Sequence, residues 1–337
     1  MALWTDLIDP ATLTGYARAS QQDYEVAKGT LARWLPNVEV SDLSVRFFVG
    51  QSGLVDEARY RAFDAEPEFG RGPTGKRVTV DLVALSQQGI ISERDQYRLR
   101  SASDEVRQRI LLDSVETAVK AISDRVERQR GNVLVNGKAT IAQDNYDDEV
   151  EYGRDADLSV TAPTLWSDDA ADRIGHLETL LDLYRDRNGV EPGACLMSNR
   201  VMRSLAAGQQ FGIQLVGGGT RPSTQGDVRA ILSGAGLPEI VVFDRRTSSG
   251  RVIPDDRIIL LPEAGDTNGQ SELGATFWGQ TLAASEPEYQ IADSEQPGVV
   301  AAAFTNDGIP PIRHTFVDSL NQVVGANLNL AVVSKVL

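Results

Sequence analysis

Residues 103–141 read SDEVRQRILLDSVETAVKAISDRVERQRGNVLVNGKATI. Apolar side chains fall at Val106, Ile110, Leu111, Val115, Ala118, Val119, Ile122 and Val126, the 3.6-residue stripe of an amphipathic helix. Ser103 offers an N-cap, and Asp104 and Glu105 place negative charge in the first turn, where the helix dipole favours it. Arg125, Arg128 and Arg130 place positive charge toward the other end, and Gly131 supplies a stop. The stretch predicts a helix over 103–130, about 40 Å long at 1.5 Å per residue, long enough to act as a spine. Beyond it, Gly131 to Gly153 reads as a hairpin. Val133–Val135 and Lys138–Ile141 are its strands, joined by the turn pair Asn136-Gly137. Glu149–Tyr152 adds a further short strand.

Upstream, residues 44–92 are strand-rich and interrupted. Val45–Val49 is a strand candidate, and Arg59–Phe63 alternates charged with apolar residues. Residues 66–75 carry two prolines and three glycines, a loop tip. Lys76–Leu85 alternates again. The pattern is a long two-stranded excursion, and an isolated hairpin is marginal in water, so it predicts a partner surface. Its aromatics Phe47, Phe48, Tyr60, Phe63 and Phe69 are candidate inter-subunit anchors, because buried aromatic side chains dominate interface energetics. Residues 1–43 carry weaker signals, two short helices over 10–15 and 22–34, and read as an arm that packs on another surface.

Downstream, helices are expected over 168–188, 199–207 and 224–233. Buried strands are expected at Ala194–Met197, Glu239–Phe243 and Arg257–Leu261, which together make a mixed α/β lobe. Val299–Phe304, Ile312–Val317 and Ala331–Leu337 are return strands. The fold class is therefore α+β.

The chain has 337 residues, 41% hydrophobic and 24% charged, an ordinary globular composition. Its net charge of −15 argues against nucleic-acid recognition, which needs clustered cations. The same charge suits a container wall that does not stick to enclosed DNA. Cys195 is the only cysteine, so no intrachain disulfide forms. No basic leader with an apolar run opens the chain, and no apolar stretch approaches a membrane span. Lysine is scarce, five against 28 arginines.

The motifs that carry chemistry are missing. Gly217-Gly-Gly219 has no lysine after it and reads as a loop. Gly234-Ala-Gly236 lacks the third glycine of a dinucleotide site, and Pro238 blocks a helix start. His176, His314 and Cys195 are too few and too scattered for a zinc site. Cys195 lies in an apolar run, the setting of a core thiol. His314, Asp318 and Ser319 share one extended segment, unlike a triad assembled from distant ones. The acidic run 144–149, with Asp147 and Asp148, lacks Ca²⁺-loop spacing. No catalytic, cofactor-binding or metal residue is expected, and no cofactor.

The order of elements, excursion, long helix, hairpin, α/β lobe and return strands, resembles that of the HK97-fold major capsid proteins of tailed phages. More narrowly it resembles the lambda-type major capsid protein E family. Val133–Ile141 after the long helix, Glu149–Arg154, Leu165-Trp166-Ser167, and Leu196–Asn199 leading into Val201–Leu205 carry the likeness. The resemblance implies an N-arm over 1–43 and an E-loop over 44–92. It implies a P-domain over 93–165 and 286–337, and an A-domain over 166–285. It further implies a non-enzymatic subunit that forms hexamers and pentamers of an icosahedral shell around double-stranded DNA. Scaffolding protein, portal and decoration protein are the implied partners, and the virion, assembled in host cytoplasm, the implied location. Lys76, on the excursion, matches the place where some such shells carry a cross-linking lysine. Two other readings stay open at this point: the shell of an encapsulin-like cellular nanocompartment, and an α/β nucleotide-binding enzyme.

Overall fold

A computed structural model describes residues 2–49, 76–99, 101–143, 146–214, 220–221, 223–265, 271–306, 308 and 312–337. The chain opens with β1 (Ala2–Leu3), α1 (Pro10–Lys28), β2 (Asn37–Glu39) and β3 (Ser44–Val49). Next come β4 (Lys76–Asp81), β5 (Val83–Ile91), α2 (Glu93–Leu99) and the spine α3 (Asp104–Asn136). After the spine follow β6 (Lys138–Gln143), β7 (Tyr146–Glu151), β8 (Ser159–Thr161), α4 (Arg173–Asn188), β9 (Ala194–Met197) and α5 (Asn199–Ala206). The lobe continues through β10 (Ile213–Gln214), β11 (Thr220–Arg221), α6 (Gln225–Gly234), β12 (Glu239–Val242), β13 (Arg246–Thr247), β14 (Gly250–Arg251) and β15 (Arg257–Leu261). The chain closes with β16 (Gly274–Gly279), α7 (Leu282–Ser285), β17 (Val300–Thr305), β18 (Arg313–Gly325) and β19 (Val332–Lys335).

The spine is 33 residues long, about 50 Å, and it does not stop where its charges suggest. It runs through Gly131, and Val133–Val135, expected as a strand, form its buried last turns. Asn136-Gly137 ends the helix instead of turning a hairpin. Gly137 takes the left-handed conformation (φ 75°) and its N–H bonds the Val133 carbonyl at 2.9 Å. Arg154 then donates to the Leu134 and Val135 carbonyls at 2.8 and 2.6 Å, satisfying acceptors that a helix end leaves free. Burial, with Arg257 nearby, pushes its guanidinium pKa down to about 10. The hairpin forms one step later, between β6 and β7.

Other boundaries also shift. Residues 10–28 form one helix rather than two short ones, capped by Asp9, whose carboxylate accepts the Thr12 N–H at 2.8 Å. Its Leu13 and Ala17 are buried in the chain's own core, and Thr14 Oγ1 donates to the Ala301 carbonyl at 3.3 Å. The helix expected from residue 168 starts at Arg173, because the Asp172 side chain caps it through the Gly175 N–H at 2.9 Å.

Among the described residues the strands build two large sheets and four two-stranded ladders, β3–β4, β6–β7, β10–β11 and β13–β14. In the first sheet, β18 is the longest strand and the axis. β5 pairs along one edge over residues 313–321; β17 and β16 follow one another along the opposite edge. β2 adds parallel to β16, and β1 adds to β17. The second sheet has the order β12-β9-β15-β19-β8. Three strands cross the expected lobe limits: β16 lies in the first sheet, and β8 and β19 in the second. The first core packs α1 and α3 on the first sheet through Leu13, Leu111, Val115, Val119, Ile122, Val126 and Val323, among others. The second packs α4, α5 and α6 on the second sheet through Leu177, Tyr184, Val201, Leu205, Val228 and Ile258.

Where the spine crosses the N-terminal segment, an ionic cluster is sealed off. Arg130 and Glu127 have no exposed side-chain surface and bond at 2.9 Å. Arg130 also donates to Thr276 Oγ1 at 2.9 Å and Thr30 Oγ1 at 3.0 Å, while Glu127 accepts the Leu31 N–H at 2.7 Å. Arg245 joins through Asp124 at 3.0 Å and the Gly29 carbonyl at 2.9 Å. One cluster thus ties α1, α3, β16 and the loop after β12.

Candidate assembly surfaces

The strands β3 and β4 pair in antiparallel register from Ser44↔Asp81 to Val49↔Lys76 and join no other sheet. Their root is fixed by burial. Val80 and Leu82 are buried, and the Leu82 N–H bonds the Leu43 carbonyl at 2.8 Å where β4 gives way to β5. Directly opposed residues of a ladder share a face, so Phe47 and Val78 lie on one side and Phe48 and Arg77 on the other.

The two phenylalanines therefore differ. Phe47 is half-buried, its ring 6.0 Å from that of Tyr152, and packs against the first core. The Tyr152 hydroxyl donates to the Val323 carbonyl at 2.7 Å, and burial pushes the phenol pKa up. Phe48 faces outward, 53% exposed. Lys76 is exposed at the far end of the paired strands. Tyr60, Phe63 and Phe69 lie outside the described residues, as do Gly217-Gly-Gly219 and the strand expected at Arg59–Phe63.

Sequence reasoning passed over other exposed apolar side chains: Ile90 near the end of β5, Tyr97 on α2 and Val106 at the start of the spine. In a periodic reading Val106 belongs to the buried stripe, yet burial on α3 begins only at Leu111. A cavity of about 280 Å³ opens between β5, the spine and the β6–β7 hairpin, with Leu82, Val126, Ile141 and half-open Tyr146 in its wall. These features are the apolar and edge surfaces that a second chain can cover.

The titratable groups weighed for chemistry are dispersed. His176 is buried edge-on to Trp166, its Nε2 3.3 Å from Ser334 Oγ, and burial lowers its pKa. Burial raises the Cys195 thiol to about 12. His314 and Asp318 lie in one strand, β18. Among the described residues no three or more His, Cys, Asp or Glu side chains group as metal ligands, and no helix is long and apolar enough to cross a membrane.

The profile of the family described as phage major capsid protein E matches residues 47–277. No curated protein matches the sequence. Among solved structures, the chain is similar to a prophage protein of E. coli CFT073 described as a capsid protein, at 15% identity and TM-score 0.63, covering 98% of this chain and 99% of that one. It is similar to a phage-related protein from Bordetella bronchiseptica RB50 at 12% identity and TM-score 0.60, with 98% of each chain covered. A chain of the satellite phage P4 procapsid aligns at 9% identity and TM-score 0.51, over 95% of this chain and 90% of that one. The likeness in shape is that of the HK97-like capsid fold, and the profile match begins within β3 and spans β4, the spine and most of the second lobe. The chain belongs to the phage major capsid protein E family and is a structural capsid protein.

Proposed function

We propose that this chain is the repeating wall subunit of a phage head, assembling as hexamers and pentamers of an icosahedral shell around double-stranded DNA. Its role is to bury surface against copies of itself; it catalyses nothing and holds no cofactor. The β3–β4 ladder carries this reading. It stands apart from both sheets with a buried root and an exposed Phe48, a costly arrangement in a monomer and an ordinary one in a subunit whose ladder lies on a neighbour.

In this reading residues 1–43 are the N-arm and 44–92 the E-loop. Residues 93–165 and 286–337 make the P-domain around the spine, and 166–285 the A-domain. Phe47 anchors the E-loop to its own subunit, while Phe48, Tyr60, Phe63, Phe69 and Lys76 meet the next one. The subunit resides in the virion after assembly in host cytoplasm, with scaffolding protein, portal and decoration protein as further partners. The net charge of −15 keeps the wall from binding the enclosed DNA.

The test removes the reach and spares the root. Val49 and Lys76 oppose each other in the ladder, so replacing residues 50–75 with Asn-Gly closes a two-residue hairpin. The variant is expected to stay folded, with its melting temperature near wild type, and to form no shells. Closed shells from this variant would remove the E-loop assignment.

A further inference from the structure

The solvent-facing side of the spine's second half borders a cleft of about 270 Å³, whose far wall is formed by residues 251–257. Four arginines line it, Arg125, Arg128, Arg251 and Arg257, in a chain with 48 acidic and 33 basic residues. Two of the four are already neutralised. Arg251 pairs with Asp244 and, at 3.6 Å, with Asp255; Arg257 lies 3.4 Å from Asp256. The other two are not. Arg128 donates to Thr247 Oγ1 at 2.6 Å, a neutral partner, and Arg125 has no hydrogen bond or ion pair among the described residues.

Two like charges one helical turn apart disfavour each other's charged form. Burial and the Arg128 charge both push the Arg125 guanidinium pKa down. Beside them Gln129, which borders both this cleft and the cavity of about 280 Å³, is only 9% exposed, and its Nε2 donor is buried without a partner. An unmet buried donor costs free energy. The cleft thus presents two guanidinium forks without a carboxylate partner, a set that a carboxylate satisfies through charge-assisted, bidentate bonds.

The same chain supplies such carboxylates in excess. On β7, Asp147, Glu149 and Glu151 are exposed, and among the described residues Lys138 ion-pairs with Glu149 alone, at 2.8 Å. Copies of one chain that meet through different patches need complementary charge to fix their register. We propose that the Arg125–Arg128 cleft is a receptor for carboxylates of a second copy of this chain. The inference rests on the shell-subunit reading and adds to it a polar contact remote from the ladder.

The test compares wild type with Arg125→Lys/Arg128→Lys and Arg125→Glu/Arg128→Glu, using light scattering and electron microscopy over a range of protein concentration. The lysine pair, which keeps the charge and loses the fork, is expected to assemble at a protein concentration between those of wild type and the glutamate pair. The glutamate pair is expected to melt like wild type and to need at least about tenfold more protein to assemble, the effect of about 1.4 kcal/mol per contact. Should the glutamate pair melt early, Arg125→Gln/Arg128→Gln, which adds no charge, is read in its place. Assembly of the charge-removed variant at wild-type concentration would overturn the receptor and leave the shell reading standing. Unimpaired assembly with weakened binding to a short fluorescent DNA duplex would also overturn it, in favour of a phosphate site. Wild type that never self-associates would remove the shell reading and this inference together.

Discussion

The backbone of Gly131 passes so close to Val252 that a methyl group on it would lie 2.5 Å from the Val252 carbonyl oxygen. Glycine stands inside the spine because a neighbouring segment crosses the helix there, and not because the helix ends. In an open helix alanine is better than glycine by about 1 kcal/mol. Here the atom in the way is backbone and cannot rotate aside. Gly131→Ala is therefore expected to lower stability by about 1–3 kcal/mol, the cost of overpacking, as read by denaturant unfolding. A stabilised variant would mean that this crossing is looser than described.

Arg130 and Glu127 have no contact with solvent. Removing one partner of such a pair strands the other charge. Arg130→Met is expected to cost about 3–5 kcal/mol. Joint replacement, Glu127→Leu with Arg130→Met, is expected to cost less than the sum of the two single losses, because each single change strands the charge that the joint change removes, while buried Glu25 and Arg245 stay in all three variants. A double-mutant cycle from chemical unfolding measures the coupling. Additive losses would show that the two side chains act independently.

His176 gives a pH dependence of definite sign. Burial holds its folded pKa below the ordinary 6.5, so the unfolded chain binds its proton first as pH falls. The contribution is whole above pH 6.5 and is lost as pH drops through the folded value. Wild type is expected to lose melting temperature on going from pH 7.5 to just below 6.5, and His176→Gln to lose less over that range. Parallel curves for the two proteins would place the acid sensitivity elsewhere.

The sequence was most legible where one face of an element is apolar and the other polar. The start of the spine, the all-buried β9, the buried Ile258–Leu261 of β15, and the α+β class follow from period and composition alone. It was least legible where a distant residue decides. The spine's end is set by Gly137 and by Arg154, seventeen positions further on. The single helix over 10–28 is held by contacts with residues near 301, which no local pattern of 10–28 contains. Residues 76–85 read as part of an excursion because they alternate, yet from Val83 onward the strand pairs with β18. The same limit applies to the assembly surfaces. Phe47 and Phe48 are equivalent in sequence, and only the ladder's register shows that one faces Tyr152 and the other faces outward. The uncompensated Arg125 and Arg128 were read as ordinary helix-end charges, since their lack of carboxylate partners is a fact of three dimensions.

The central claim is that this chain builds a closed wall from copies of itself. Negative-stain electron microscopy of the purified protein, with size-exclusion light scattering on the same sample, tests it most directly. Closed shells, or rings of five and six subunits, are expected. A monomer or dimer that stays so at every concentration would contradict it.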